Sequence, residues 1–143
     1  MKKKWPVHIL LMLLCLVMLF NIPAYAAETR ASDRIVRSTV TLSKKSNGDL
    51  SIYFSVQAND RMEKIGATSV AIQRNSGSSW VTEYTFNTSN TPALLRDNKD
   101  RHSMVLTCSP QFTGVEYCAV VMIYVEDAAG VSSQKLTSRT IAT

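Results

Sequence analysis

Between Leu50 and Ala58 every second residue is apolar: Leu50, Ile52, Phe54, Val56 and Ala58 alternate with Ser51, Tyr53, Ser55 and Gln57. Successive side chains of a strand point to opposite faces, so this period of two commits the segment to a half-buried β-strand. An earlier run, about Arg37 to Lys44, carries Ser38, Val40 and Leu42 on one face and Thr39, Thr41 and Ser43 on the other. The intervening Ser46-Asn47-Gly48-Asp49 is turn chemistry. A two-residue Asn47-Gly48 turn would set Leu42 opposite Tyr53, mixing core and solvent residues on one side of the pleat. A three-residue Ser46-Asn47-Gly48 loop with Gly48 left-handed sets Leu42 opposite Ile52 and Val40 opposite Phe54, so the bulged hairpin is expected.

The same period continues along the chain. Asn59 to Gly66 reads as a connector, with Met62 and Ile65 spaced as in one helical turn. Ala67 to Arg74 is a third strand with Thr68, Val70 and Ile72 inward, and Asn75 to Ser78 is a turn. Ser79 to Asn87 is a fourth, with Trp80, Thr82, Tyr84 and Phe86 on its even face. Residues 88–101 lack periodicity and read as a long loop containing Leu94-Leu95 and a charged run from Arg96; such loops are often functional. His102 to Cys108 and Glu116 to Glu126 are the fifth and sixth strands. The sixth is apolar on both faces and therefore central. A polar last strand, Ser132 to Ile141, suits an edge that Lys135 and Arg139 protect from pairing with other chains. Seven short strands with turns between them imply a single all-β sandwich over 35–143.

The N-terminus has a different character. Lys2, Lys3 and Lys4 precede an apolar run from Val7 to Phe20, then Asn21-Ile22-Pro23 and Ala24-Tyr25-Ala26. That order is a helical export signal cleaved between Ala26 and Ala27. The apolar run falls short of the roughly 20 residues of a membrane span. Residues 27–34 are polar and read as a flexible lead-in. Removing the leader takes three lysines from the 16 Lys+Arg, so 13 face 11 Asp+Glu and the net charge falls from +5 to +2. That scattered balance gives no electrostatic footprint for nucleic acid. The expected product is secreted and monomeric, touching a membrane only through its export signal. Two cysteines remain, Cys108 and Cys118, and export permits a disulfide between them.

Thr113-Gly114-Val115-Glu116-Tyr117-Cys118-Ala119-Val120-Val121, followed by Asp127-Ala128-Ala129-Gly130, resembles the corner and last hairpin of fibronectin type III and bacterial immunoglobulin-like domains. With Lys64-Ile65-Gly66 and Ser78-Ser79-Trp80-Val81, the pattern also resembles small exported proteins of Gram-positive bacteria. The resemblance implies an immunoglobulin-like sandwich. In it Tyr117 is the corner tyrosine, its hydroxyl bonded to nearby backbone. The chain departs from the pattern in having Phe54 where a tryptophan is usual, and in lacking the corner proline. Such a fold hosts many activities and implies architecture alone.

Catalytic chemistry is thinly supplied. His102 is the one histidine after the leader, which excludes paired-imidazole sites and reads as a surface or capping residue. Neither a G-x-S-x-G elbow nor a phosphate-binding glycine loop is present in the sequence. Asp97-Asn98-Lys99-Asp100 lacks the spacing of a calcium loop and reads as a solvated turn, and Asn87-Thr88-Ser89 matches a glycosylation acceptor without further support. No catalytic group, cofactor or metal is therefore expected. Trp80 and Tyr84 could form an aromatic binding platform, although aromatics on one strand face more often pack in a core. Tyr53 and Tyr124, off the main core face, are second candidates. Leu95 and Arg96 in the expected loop complete the candidate binding set. The reading is a non-catalytic binding module for a protein or cell-surface glycan. The alternatives are an exported inhibitor or toxin-type effector using the 88–101 loop, and a small hydrolase.

Overall fold

The computed structural model describes residues 34–143. The export signal and residues 27–33 of the expected lead-in lie outside the described residues. The first hairpin forms as its turn chemistry requires. Strand β1, Ile35–Lys44, pairs antiparallel with the start of β2, Leu50–Asn75, setting Leu42 opposite Ile52 and Val40 opposite Phe54. Gly48 has φ +90, and its amide donates to the Lys45 carbonyl at 3.0 Å. The left-handed glycine sets the register by one residue and so sends the whole apolar row inward.

Strand β2 is the organising element. The expected connector at Asn59–Gly66 is not a helical turn, and the expected third strand is not separate. Both are continuous with the strand that begins at Leu50. Its N-terminal half lies between β1 and β4 (Leu95–Cys108), and its C-terminal half between β3 (Trp80–Asn87) and β5 (Glu116–Asp127). At Lys64–Gly66 it pairs with β4 and β5 together. Strand β6, Gly130–Thr137, and the short β7, Ile141–Ala142, extend the sheet beyond β5. The result is one antiparallel sheet that curls around its own inner face, with β2 bending from one half to the other.

The bend has identifiable causes. Between Gln57 and Met62 the β2–β4 register jumps, so β2 carries extra residues that bulge out of the ladder. A second irregularity between Ala67 and Ser69 adds Thr68 to β2 opposite β5. Bulges bend a strand and sharpen its twist. The inward parity changes twice along β2: the buried row is even-numbered from Leu50 to Met62, odd at Ile65 and Ala67, and even again at Val70 and Ile72, the second change falling at the Thr68 insertion. Thr68, expected inward, is the inserted residue and is half-buried.

The core fills the inside of the curl with Leu50, Ile52, Phe54, Ile65, Ile72 and Tyr117, none of them measurably exposed, together with Val121 and Ile123. Each fully buried aliphatic or aromatic side chain contributes roughly 1.5–3 kcal/mol.

Three expectations about segments are corrected. Residues 95–101 are not loop but the first half of β4; the irregular stretch is 88–94, closed by a 3-10 turn at Pro92–Leu94. The last strand is split at Ser138, whose hydroxyl accepts from the Ala119 amide and donates to the Arg139 carbonyl, both at 2.9 Å. Arg34 is not part of a loose lead-in. Its Nε lies 3.0 Å from Asp127, and its carbonyl accepts from the Asn59 amide.

Candidate functional site

The fourth strand holds the largest departure from the sequence reading. Ile72 pairs with Tyr84 but Gln73 pairs with Thr82, which leaves Glu83 as an extra residue in β3. This bulge breaks the expected four-residue aromatic face in two. On one side of it, Tyr84 and Phe86 oppose Ile72 and Val70 and pack onto the core. On the other, Trp80 opposes Asn75 and is 42% exposed, so it is not the core residue that the alternation favoured. Tyr84 is anchored by donating its hydroxyl to the Ser109 carbonyl.

Trp80 is one of a group. Val81 pairs with Arg74, and the Arg74 guanidinium carbon sits 4.2 Å from the centre of the Phe112 ring. Trp80, Val81 and Phe112 lie at the end of the domain where β2 turns into β3 and β4 into β5. Val81 and Phe112 are on the Arg74 side of the sheet, and Trp80, one residue away from Val81 in the strand, is on the opposite side with Asn75. All three are between 42% and 47% exposed.

Beneath this apolar tip lies a polar cluster that the sequence reading missed. The bulge turns Glu83 inward, leaving its side chain 5% exposed. Its carboxylate accepts from the Tyr117 hydroxyl at 2.9 Å and from the Gln111 amide at 2.6 Å. Arg74 Nε lies 3.5 Å from the same carboxylate without hydrogen-bond geometry. The pair is thus held by charge and by the Phe112 ring, not by a fork. The Tyr117 oxygen also lies 3.3 Å from both the amide and the carbonyl of Phe112, five residues upstream. Burial, and then the hydrogen bond to Glu83, push the Tyr117 hydroxyl up to about 12, so it stays protonated and donating. The C-terminal residue closes the loop: the Thr143 hydroxyl donates near Phe112, and its amide donates to the Val115 carbonyl. A lone carboxylate inside an otherwise apolar and hydroxyl-bearing strand was the one sequence signal for this cluster.

The remaining candidates lie elsewhere. Leu95 pairs with Gly66 and Arg96 with Ile65, ten positions along β2 from the Asn75 that Trp80 faces. That is roughly 30 Å of strand, so the two pairs do not share a surface. Tyr124 stands beside Gly66, donating its hydroxyl to Glu126 at 2.9 Å. Asp97 to Asp100 belongs to β4, with Asn98 left-handed at φ 53. The bridge between Cys108 and Cys118 is not formed, and both thiols are free and buried. Strand parity gives the reason. Cys108 opposes Leu50 and joins the core, whereas Cys118 opposes Gln73 on the outer face, its Sγ 4.0 Å from the Gln73 amide oxygen. Burial, with Glu83 and Asp49 adding to it, pushes the Cys108 thiol up to about 11, and burial raises Cys118 too. Neither has the thiolate character of a nucleophile.

His102 is half-buried, edge-on to Phe54 with centroids 5.7 Å apart, and its Nε2 lies 2.9 Å from the Ala93 carbonyl. It pins the 3-10 turn to β4. Burial lowers its pKa from 6.5, the Ala93 carbonyl opposes that, and Arg96 adds to the depression. The unfolded chain therefore binds a proton at this site before the folded one does, and stability falls as pH drops below 6.5. Urea unfolding between pH 7.5 and 5 is expected to show that fall, and His102→Gln to remove part of it.

No family model matches the chain, and neither does any curated protein at a significant level. Among solved structures it is similar to the solution structure of a proposed late embryogenesis abundant (LEA) protein. The identity is 12% and the TM-score 0.44, over 82% of this chain and 76% of that one. Likeness at that level carries no argument about fold family or role.

Proposed function

We propose that this chain is an exported, non-catalytic binding module whose curled sheet is an immunoglobulin- or fibronectin type III-like sandwich, and that it engages a protein partner through the tip formed by Trp80, Val81 and Phe112. The observation that carries the reading is the bulge at Glu83. A strand with four aromatic or hydroxyl-bearing residues on alternate positions could bury them all, yet one extra residue turns the tryptophan out to solvent. Tryptophan is enriched among the residues that dominate binding energies, and a clustered apolar surface on a folded domain marks an interaction site. The Arg74–Glu83–Tyr117 contacts below would hold the tip rigid, which lowers the entropic cost of association.

Support for the sandwich reading comes from the Tyr117 hydroxyl, which reaches backbone five residues upstream as a corner tyrosine does. Export rests on the leader's order of charge, apolar run and small residues. The inhibitor alternative placed its contact on an 88–101 loop, of which 88–94 is irregular and 95–101 belongs to β4.

Comparative capture from whole cells and culture supernatant tests the proposal. The unmodified chain should retain a protein that Trp80→Ala and Phe112→Ala each release, with affinity reduced by about 30-fold. The thermal midpoint should stay within a few degrees for Trp80→Ala, and fall further for Phe112→Ala, whose ring covers the Arg74 guanidinium. Equal retention by all three chains would refute it.

A further inference from the structure

The outer face of the β1–β2–β4 half is a grid of short hydroxyl side chains around one aromatic ring. The ladders place Thr39, Ser55 and Ser103 in one row and Thr41, Tyr53 and Val105 in the next. These positions alternate with the buried Ile52, Phe54 and Val56, so they share the outward side. Tyr53 is 41% and Val105 57% exposed at the centre of the grid. Neighbouring strands stand about 4.8 Å apart, and like-facing residues along a strand about 6.7 Å apart.

Cations stand at both ends of this face. Arg37 and Arg101 flank Gln57 in the row before Thr39, and Lys45 reaches round the hairpin to Thr107, with Nζ 2.9 Å from its hydroxyl. The rows from Arg37 to Ser43 and their partners on β2 and β4 contain no carboxylate. Asp100 lies 3.6 Å from Arg101, but both side chains are more than half exposed and solvent screens such a pair.

We infer that this face binds an anionic polysaccharide laid across β1, β2 and β4. Serine and threonine hydroxyls both donate and accept, which suits the mixed hydrogen bonding of sugar hydroxyls. The exposed Tyr53 ring offers an apolar surface with a polar tip against which a pyranose face can rest. The two arginines can fork onto sugar carboxylates and carry the charge complementarity, since Lys45 at the far end is offset by the Asp49 carboxylate across the hairpin. A protein partner would call for a broader apolar centre than one tyrosine and one valine supply. The site is separate from the Trp80 tip and does not depend on it.

Affinity electrophoresis of the exported chain in gels containing polygalacturonate, with neutral dextran in parallel, tests the inference. Retardation by polygalacturonate alone, weakening as salt is raised, is expected. Arg37→Gln with Arg101→Gln should weaken binding by at least about tenfold, and Tyr53→Ser by about as much, with unchanged thermal midpoints. Trp80→Ala should bind as the unmodified chain does, which separates this inference from the tip proposal. No retardation, equal retardation by dextran, or loss on the arginine changes with none on Tyr53→Ser would each overturn it, the last by reducing the effect to net charge.

Discussion

Replacing Gly66 with alanine is expected to prevent stable folding. Gly66 has φ +150, a backbone conformation almost closed to residues with a side chain, and it sits where β2 pairs with Leu95 on one side and Tyr124 on the other. A Cβ there would run into the Leu94 carbonyl oxygen and approach the His102 ring within 3.0 Å. The obstacle is backbone, fixed by the 3-10 turn and by the His102 contact with Ala93, so it cannot move aside cheaply. Strain and collision together should exceed about 4 kcal/mol, a large part of the 5–15 kcal/mol that a domain of this size possesses. Circular dichroism should show lost strand signal or a midpoint lowered by well over ten degrees. A control at the turn glycine Gly48, where a Cβ would meet nothing within 4 Å but φ is +90, should cost only the backbone penalty of about 1–2 kcal/mol.

The second large effect is expected at Glu83. Glu83→Ala removes the acceptor of the Tyr117 hydroxyl and of the Gln111 amide, and leaves Arg74 with no facing charge in a position where its side chain is 21% exposed. Breaking a buried pair from one side costs about 3–5 kcal/mol, and partial access of Arg74 to water places this case near the lower figure. Removing both charges together, as Glu83→Leu with Arg74→Met, should recover most of the loss, because the desolvation cost disappears with the pair. Urea midpoints of the single and double variants give the comparison. Near-identical losses in both would mean that the cavity and the orphaned Tyr117 hydroxyl dominate, not the ion pair.

These two positions also show what the sequence could and could not reveal. The first hairpin was legible because turn and period constrain each other. Only one loop length puts Leu42 against Ile52, and Gly48 supplies the conformation that the loop needs. The passage of β2 from one half of the sheet to the other was not legible. Asn59, Asp60 and Arg61 bulge from the ladder, and Glu63 and Lys64 remain exposed, so a continuous strand carries the polar composition of a loop. Asp97 to Arg101 misled for the same reason: both faces of that part of β4 are exposed. The bulge at Glu83 had no signature in the alternation, since Trp80, Thr82, Tyr84 and Phe86 fit one face as well as two. Cysteine spacing was equally silent. Whether Cys108 and Cys118 can meet depends on strand parity relative to the core, which places one inside and the other outside. The leader reading stands apart from all of this, since it concerns residues before Arg34.

The bulge at Glu83 rotates Trp80 out of the core. Trp80 becomes the sole tryptophan when Trp5 is changed to phenylalanine. Iodide quenching of that chain's fluorescence reads its accessibility directly. A red-shifted emission quenched in the folded protein nearly as readily as in urea is the expected result. A blue-shifted emission protected from iodide until the chain unfolds would place Trp80 in the core and contradict the bulge at Glu83, and the proposed tip with it.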